Sequence, residues 1–400
     1  MSSPELLRWA EIDLAAVGHN VGQLRARLSQ GTVLAAVVKA NGYGHGAVQV
    51  AQAAVAAGAE WLCVATAGEA AELRGGGLRA PILNMGPTLR GDAEAAVAWG
   101  IRCCVYEREG IELLAQAAAA AGRPLAVHLK VDTGMSRLGA PLGETLELAR
   151  LIETAPYLRL EALWTHLAEA DDANSPRSGG QLARFLAEVD LVRRAGIEPP
   201  MLHCANSASA LLNPPAHLSL VRCGLPIYGY SSTAAPVPGL ELRPVMTWKS
   251  RVVAVRRLAV GDRVGYGGTF SAEAPMVAAT VALGYADGYS RRLSNQGRML
   301  VGSSVAPVVG RVSMDFVTLD VSAVSGVAVG DEVVVIGRQG KAFIGADEIA
   351  RSLDTIAWEV LATVGARVIR VPVPVEAPPS PPDPSPPDAS PPLARVRDAV

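Results

Sequence analysis

Two hydrophobic periods divide this chain. Up to about Pro244, short apolar runs alternate with Ala-rich segments whose apolar positions recur at helical spacing. The runs predict strands near 33–38, 61–65, 81–84, 101–105, 126–131, 158–165, 200–204 and 218–221. Between them fall predicted helices such as 47–57, 111–121 and 181–194, and an earlier strand over 9–14 leads into a helix over 15–28. Alternating strand and helix implies right-handed parallel crossovers. About eight such units in roughly 220 residues point to a closed (β/α)8 TIM-type barrel, an α/β fold. After Pro244 the texture changes to strand-like runs over 247–255, 276–283, 304–309, 312–321 and 332–336, broken by Gly-Asp turns at Gly261-Asp262 and Gly330-Asp331. With a helical insert near 346–364, this part reads as a mostly antiparallel β domain. The expected organisation is a barrel over 1–243, a β domain over 244–375, and a Pro-rich tail over 376–400 with too little to bury to form a core.

Composition narrows the function. Half of the 400 residues are hydrophobic and the formal net charge is −2. No basic patch suggests nucleic acid and no acidic run of the disordered kind is present, so a small-molecule enzyme fits best. Residues 1–11 lack the basic-then-apolar order of a secretory signal, and no apolar run approaches membrane-spanning length. The five cysteines are odd in number and lack metal-ligand spacing, which favours buried free thiols, no metal and a reducing cytoplasm.

The chemistry-bearing residues gather at predicted strand ends. Val33-Leu-Ala-Ala-Val-Val-Lys39 is an apolar strand ending in a lysine, followed by Ala-Asn-Gly42-Tyr43-Gly44-His45-Gly46. An ammonium there is costly unless exposed or covalently used, as in a Schiff base with a carbonyl cofactor. The three glycines leave room for a flat ring to approach the backbone, and Tyr43 adds a hydroxyl. His128-Leu-Lys130-Val-Asp132-Thr-Gly134-Met-Ser-Arg137 follows the fifth strand. Trp164-Thr-His166 ends the sixth, His203-Cys-Ala-Asn206-Ser207 follows the seventh, and Arg222-Cys-Gly224-Leu225 follows the eighth. Barrel enzymes place reactive groups at this face, with phosphate after the last strands. Plainer readings stand beside these: Asn206-Ser207 as a helix cap, Arg222 as half of an ion pair, and Lys130 with Asp132 as a pair on one strand face. In the second half, Tyr266 sits among glycines, Tyr285 lies in the turn Gly284-Tyr285-Ala-Asp287-Gly-Tyr289, and Met314-Asp315 end a strand approach.

These motifs, in order and spacing from about Trp9 to Val375, resemble the alanine racemases. The resemblance implies pyridoxal 5'-phosphate held on Lys39 as an internal aldimine, with Tyr43, Asn206, Ser207, Gly224 and Leu225 around its phosphate. It implies Arg222 at the pyridine nitrogen, His166 orienting Arg222, and Arg137 at the cofactor's phenolic oxygen and the substrate carboxylate. Lys130 matches a lysine often carbamylated in the family. Tyr266, Tyr285, Met314 and Asp315 match residues that reach the partner's site, so a homodimer with shared sites is implied.

Racemisation of L- and D-alanine for peptidoglycan would then use two bases, Lys39 for the D face and Tyr266 of the other subunit for the L face. Competing readings are a serine or broad-spectrum racemase, a related decarboxylase of basic amino acids, and a non-catalytic cofactor-binding protein. The decarboxylases usually pair a carboxylate with the ring nitrogen and use a cysteine at the Tyr266 position. The non-catalytic barrels lack the β domain. One departure stands out: Asp354-Thr-Ile-Ala-Trp358-Glu places tryptophan where the family usually has a phosphate-binding tyrosine, and its indole N–H is expected to take over that role.

Overall fold

The computed structural model describes residues 6–172 and 175–373, so the 376–400 tail lies outside the described residues. Eight parallel strands form the barrel: β2 (Val33–Val37), β3 (Trp61–Val64), β4 (Ile82–Asn84), β5 (Arg102–Val105), β6 (Leu125–Lys130), β7 (Leu158–Trp164), β8 (Met201–His203) and β9 (Leu220–Cys223). β2 lies between β9 and β3, and the remaining strands follow in chain order to β8. The seam between β8 and β9 is joined by Ser219 N–H to Leu202 O (2.9 Å) and Arg222 N–H to Ala205 O (3.0 Å). Every residue of β3, β4 and β9 is buried, as expected for parallel strands covered on both faces. The eight strands fall where the hydrophobic pattern predicts them.

Helices between the strands carry local start signals. Thr66 caps Ala67–Gly75 by accepting from Glu69 N–H, and Ser175 with Pro176 opens Pro176–Arg194. That last helix begins five residues before its predicted start.

The second sheet is mostly antiparallel. In spatial order it runs Ser304–Pro307, Arg298–Val301, Glu332–Gln339, β10 (Met246–Leu258), β1 (Arg8–Asp13) and Ile369–Val373. The predicted N-terminal strand β1 is thus part of this sheet, antiparallel to β10 and parallel to Ile369–Val373. Two expectations differ from the structure. Only Val317–Asp320 of the predicted 312–321 strand is extended; Ser313 Oγ accepts from Phe316 N–H (3.0 Å) and turns the chain, so Met314 and Asp315 sit in a loop. The helical insert is two helices, Ala346–Leu353 and Ala357–Ala362, separated at Asp354, whose φ is +54°.

Candidate active site

Lys39 leaves β2 into a left-handed turn: Ala40, Asn41, Gly42, Tyr43 and Gly44 have φ of 51°, 53°, 59°, 49° and 81°. Each non-glycine in that region costs about 1–2 kcal/mol, so the surroundings must hold it. Glu69 does so from the barrel side, accepting from Ala40 N–H (2.7 Å) and Ala65 N–H (2.8 Å). Fully buried His45 places Nδ1 2.8 Å from Tyr43 O, and Asn41 Oδ1 accepts from Ala47 N–H at 3.0 Å. On the far side, Arg370 donates to Gly44 O (2.8 Å) and to the carbonyls of Val364, Gly365 and Val368. The β domain is thereby tied to the Lys39 turn.

The glycines of this turn do a different job from the expected one. A Cβ on Gly44 would stand 2.2 Å from Leu361 O, and one on Gly42 would stand 3.2 Å from Ala47 Cα. Both admit the protein's own backbone. The glycine that opens the site is Gly224, where a Cβ would lie 2.7 Å from the Tyr43 hydroxyl. Gly224 N–H donates to Ser207 Oγ (2.8 Å), so Tyr43, Ser207 and Gly224 meet beside buried Leu225. Asn206 caps Ser207–Leu212 through Ser209 N–H (3.1 Å) and donates to Leu167 O. Trp358, half-buried in Ala357–Ala362, lies on the helix whose Leu361 carbonyl faces Gly44. Its indole N–H has no hydrogen-bond partner among the described residues.

Arg222 ends up in the barrel interior. Nη1 donates to His203 Nδ1 (2.7 Å), and Nη2 reaches Thr165 O (3.0 Å), Cys204 O (3.1 Å) and His166 Nδ1 (3.2 Å). Its Nε is buried without a partner. Since nearly all buried polar groups are satisfied, this is a donor awaiting an acceptor. Burial drives the His166 pKa well below the usual imidazole value, and Arg222 pushes it further the same way. A neutral His166 can accept from Arg222, as the resemblance implies.

Lys130 is buried with Nζ 4.6 Å from the Trp164 ring centroid, and the Arg222 guanidinium carbon lies 4.7 Å from the same centroid. The plain pairing of Lys130 with Asp132 is not formed. Asp132 Oδ1 instead accepts from the N–H groups of Gly134, Met135 and Ser136, shaping the loop that carries exposed Arg137. Burial lowers the Lys130 pKa to about 8, with Arg222 and Arg137 adding to the fall. Burial, then Arg137, also lowers the Lys39 pKa. Arg222, Lys130, Arg137 and Lys39 all lie near enough to His166 for their charges to lower its pKa further, so these five groups form one electropositive neighbourhood.

The β-domain candidates lie apart from it. Tyr266 is 74% exposed, Met314 52% and Tyr285 42%. Tyr285 N–H donates to Ser313 O (3.0 Å), and Arg367 pairs with Asp315 (2.7 Å) and Asp287 (3.3 Å). The loop of Met314 and Asp315 therefore seats Tyr285, and Arg311 of the same loop runs beside the glycines flanking Tyr266. His128 and His203 stand in the strand-end motifs without an expected role, and Glu69, Arg370 and Glu161 are not singled out by the sequence. For His128 a signal existed: it stands two residues before Lys130 on β6, hence on the same face.

Family models for the alanine racemase N-terminal and C-terminal domains match residues 12–232 and 245–372. An alanine racemase of Symbiobacterium thermophilum is 43% identical over 366 residues, 90% of this chain and 96% of the relative. One from Geobacillus stearothermophilus is 41% identical, covering 91% of this chain and 92% of its own. Among solved structures, alanine racemase of Clostridium difficile 630 superposes with a TM-score of 0.88 at 32% identity, covering 93% and 97% of the two chains. That of Bartonella henselae, with covalently bound pyridoxal phosphate, gives 0.82 at 28% identity over 92% and 100%.

Proposed function

The chain belongs to the alanine racemase family and interconverts L- and D-alanine, and we propose that it does so with Lys39 and Tyr266 as opposed bases around pyridoxal 5'-phosphate. The observation that carries this reading is the buried, partnerless Nε of Arg222 at the same strand ends as Lys39 and the Tyr43–Ser207–Gly224 cradle. A cofactor with a ring acceptor, a carbonyl and a phosphate matches those three features. Lys39 would carry it covalently, Arg222 Nε–H would meet the pyridine nitrogen, and Tyr43, Ser207, Asn206, Gly224, Leu225 and Trp358 would surround the phosphate. When bound, the cofactor supplies the electron sink that makes the alanine Cα–H acidic.

The protein's part is position and charge. Burial lowers the Lys39 pKa, which favours the neutral amine a general base requires. Arg222 holds its proton at all working pH, so it donates a hydrogen bond to the ring nitrogen without protonating it. Arg137 stands at the rim with its charge available to the substrate carboxylate. A carbamate on Lys130 would give Arg137 an anion to rest against, and burial keeps that amine close to the neutral form such a modification needs.

Tyr266 is too exposed to be a base in a closed pocket of its own chain. We place it, with Tyr285, Met314 and Asp315, in the site of a second copy, which makes the enzyme a homodimer with shared sites. Residues 1–243 then act as the cofactor-holding unit and 244–375 as the unit that serves the partner, with β1 lent to the second sheet. The five described cysteines are free and buried, which suits a cytoplasmic enzyme supplying D-alanine for peptidoglycan. Borohydride reduction of the loaded enzyme followed by peptide mapping tests the core of this reading. The cofactor should be found on Lys39; finding it on another lysine sinks the assignment.

A further inference from the structure

Arg222 carries a buried charge, yet among the described residues no carboxylate lies within ion-pair distance of it. Such an arrangement is costly unless the charge is compensated another way. Hydrogen bonds take that part here, and a row of side chains across β9, β8, β6 and β7 fixes how the guanidinium is held. Arg222 Nη1 is 2.7 Å from His203 Nδ1, His203 Nε2 is 3.0 Å from His128 Nδ1, and His128 Nε2 is 3.2 Å from Glu161 Oε2. Both imidazoles are fully buried, and Trp164 stacks on His203 with centroids 5.2 Å apart.

The chemistry of the groups gives this row one direction. Arginine only donates, so His203 Nδ1 must accept and its proton sits on Nε2. That proton is donated to His128 Nδ1, which places the His128 proton on Nε2, facing the Glu161 carboxylate. Reversed, an N–H of His203 would point at an N–H of Arg222. Glu161 is held by Arg102 (3.1 Å) and Arg159 (2.7 Å). Burial raises its pKa, but the bonds from His128 and Arg102 outweigh that and bring it down to about 2, so it is an anion. Burial lowers the pKa of both histidines, the direction the neutral rings of this row require.

We propose that Glu161, acting through His128 and His203, is a positioning residue for the cofactor: the one-way chain locks Nη1 of Arg222 and leaves Nε–H aimed at the pyridine nitrogen. The proposal rests on Arg222 being the pyridine partner, as argued above. It accounts for two buried histidines and a buried carboxylate to which the proposed base and binding roles assign nothing.

The test is nitrogen NMR on the full-length enzyme labelled at histidine and arginine, with and without pyridoxal phosphate, in wild type, Glu161→Gln and Glu161→Leu. Wild type should show His203 and His128 both protonated at Nε2 only, and the Arg222 Nε resonance should move when the cofactor is added. Glu161→Gln keeps an acceptor oxygen and should preserve both tautomers and cofactor affinity. Glu161→Leu should disturb the His128 tautomer, alter the Arg222 Nε response and weaken cofactor binding about tenfold, the scale of one lost hydrogen bond to a charged group. An Nδ1 proton on either wild-type histidine overturns the proposal, and that result needs no variant to fold. Glu161→Leu with wild-type tautomers and an unchanged Arg222 response overturns it equally. If the tautomers hold but the wild-type Arg222 Nε ignores the cofactor, the pyridine assignment fails and takes the positioning role with it, while the chain of bonds stands.

Discussion

Replacing Gly44 by alanine probes how the β domain holds the Lys39 turn. Gly44 has φ +81°, where an alanine costs about 1–2 kcal/mol from its own Cβ alone. The new Cβ would also stand 2.2 Å from Leu361 O and 3.2 Å from Leu361 C. These are backbone atoms of Ala357–Ala362, so helix and turn must part by about 1 Å to restore ordinary contact. Overpacking of this kind adds roughly 1–3 kcal/mol, giving a total near 3 kcal/mol. Gly31 supplies the control, since its φ is +80° but a Cβ there meets nothing within 4 Å. Gly31→Ala should therefore show only the conformational cost of about 1–2 kcal/mol. Parting the helix from the turn also moves Trp358 and Tyr43 relative to one another. Cofactor affinity should accordingly fall about tenfold or more in Gly44→Ala and not in Gly31→Ala. Urea unfolding of both variants, with fluorescence titration of pyridoxal phosphate, reads the two effects. Equal destabilisation of the pair, with equal cofactor affinity, would refute the contact between turn and helix as a determinant of the site.

Two further predictions concern single side chains. Trp358→Phe keeps the ring and removes the free indole N–H; the dissociation constant for pyridoxal phosphate should rise roughly tenfold with unfolding unchanged, and an unchanged constant means Trp358 does not serve the phosphate. With a folded pKa of about 8 against 10.5, Lys130 is increasingly neutral as pH rises through 8, so labelled bicarbonate should give a carbon-13 carbamate signal that grows over that range and vanishes in Lys130→Arg. A signal that persists in the variant places the carbamate elsewhere. The same shift means the unfolded chain binds more protons between pH 8 and 10.5, so the unmodified protein gains stability as pH rises through that window.

The barrel was legible because its strands are buried on both faces and therefore read as unbroken apolar runs between Ala-rich helices. The edge of the β domain was less so. Residues 312–316 are as strand-like in composition as 317–320, and only the Ser313 turn decides against them. Single strand-end residues such as Lys39, Tyr43, His166, Ser207 and Arg222 could be named from sequence and are brought to one region. What joins them could not. Glu69 reaches across from the helix after β3, Arg370 comes from the far end of the chain, and the row from Arg222 to Glu161 uses four strands. Such contacts depend on barrel register, which a single sequence does not display. The glycines of the Lys39 turn were rightly singled out but for the wrong neighbour, because the helix that presses on Gly44 is over 300 residues away in sequence.

In the proposed homodimer one site is assembled from two chains, with Lys39 in one barrel and Tyr266, exposed on its own chain, coming from the neighbouring β domain. Mixing differently tagged Lys39→Ala and Tyr266→Phe chains, each inactive as a homodimer, and isolating the heterodimer tests this directly. Both lesions then fall in one site and the other is intact, so alanine racemisation should return to about half the wild-type turnover per dimer. Verified heterodimers with no activity above the parents would contradict the account and place both bases within a single chain.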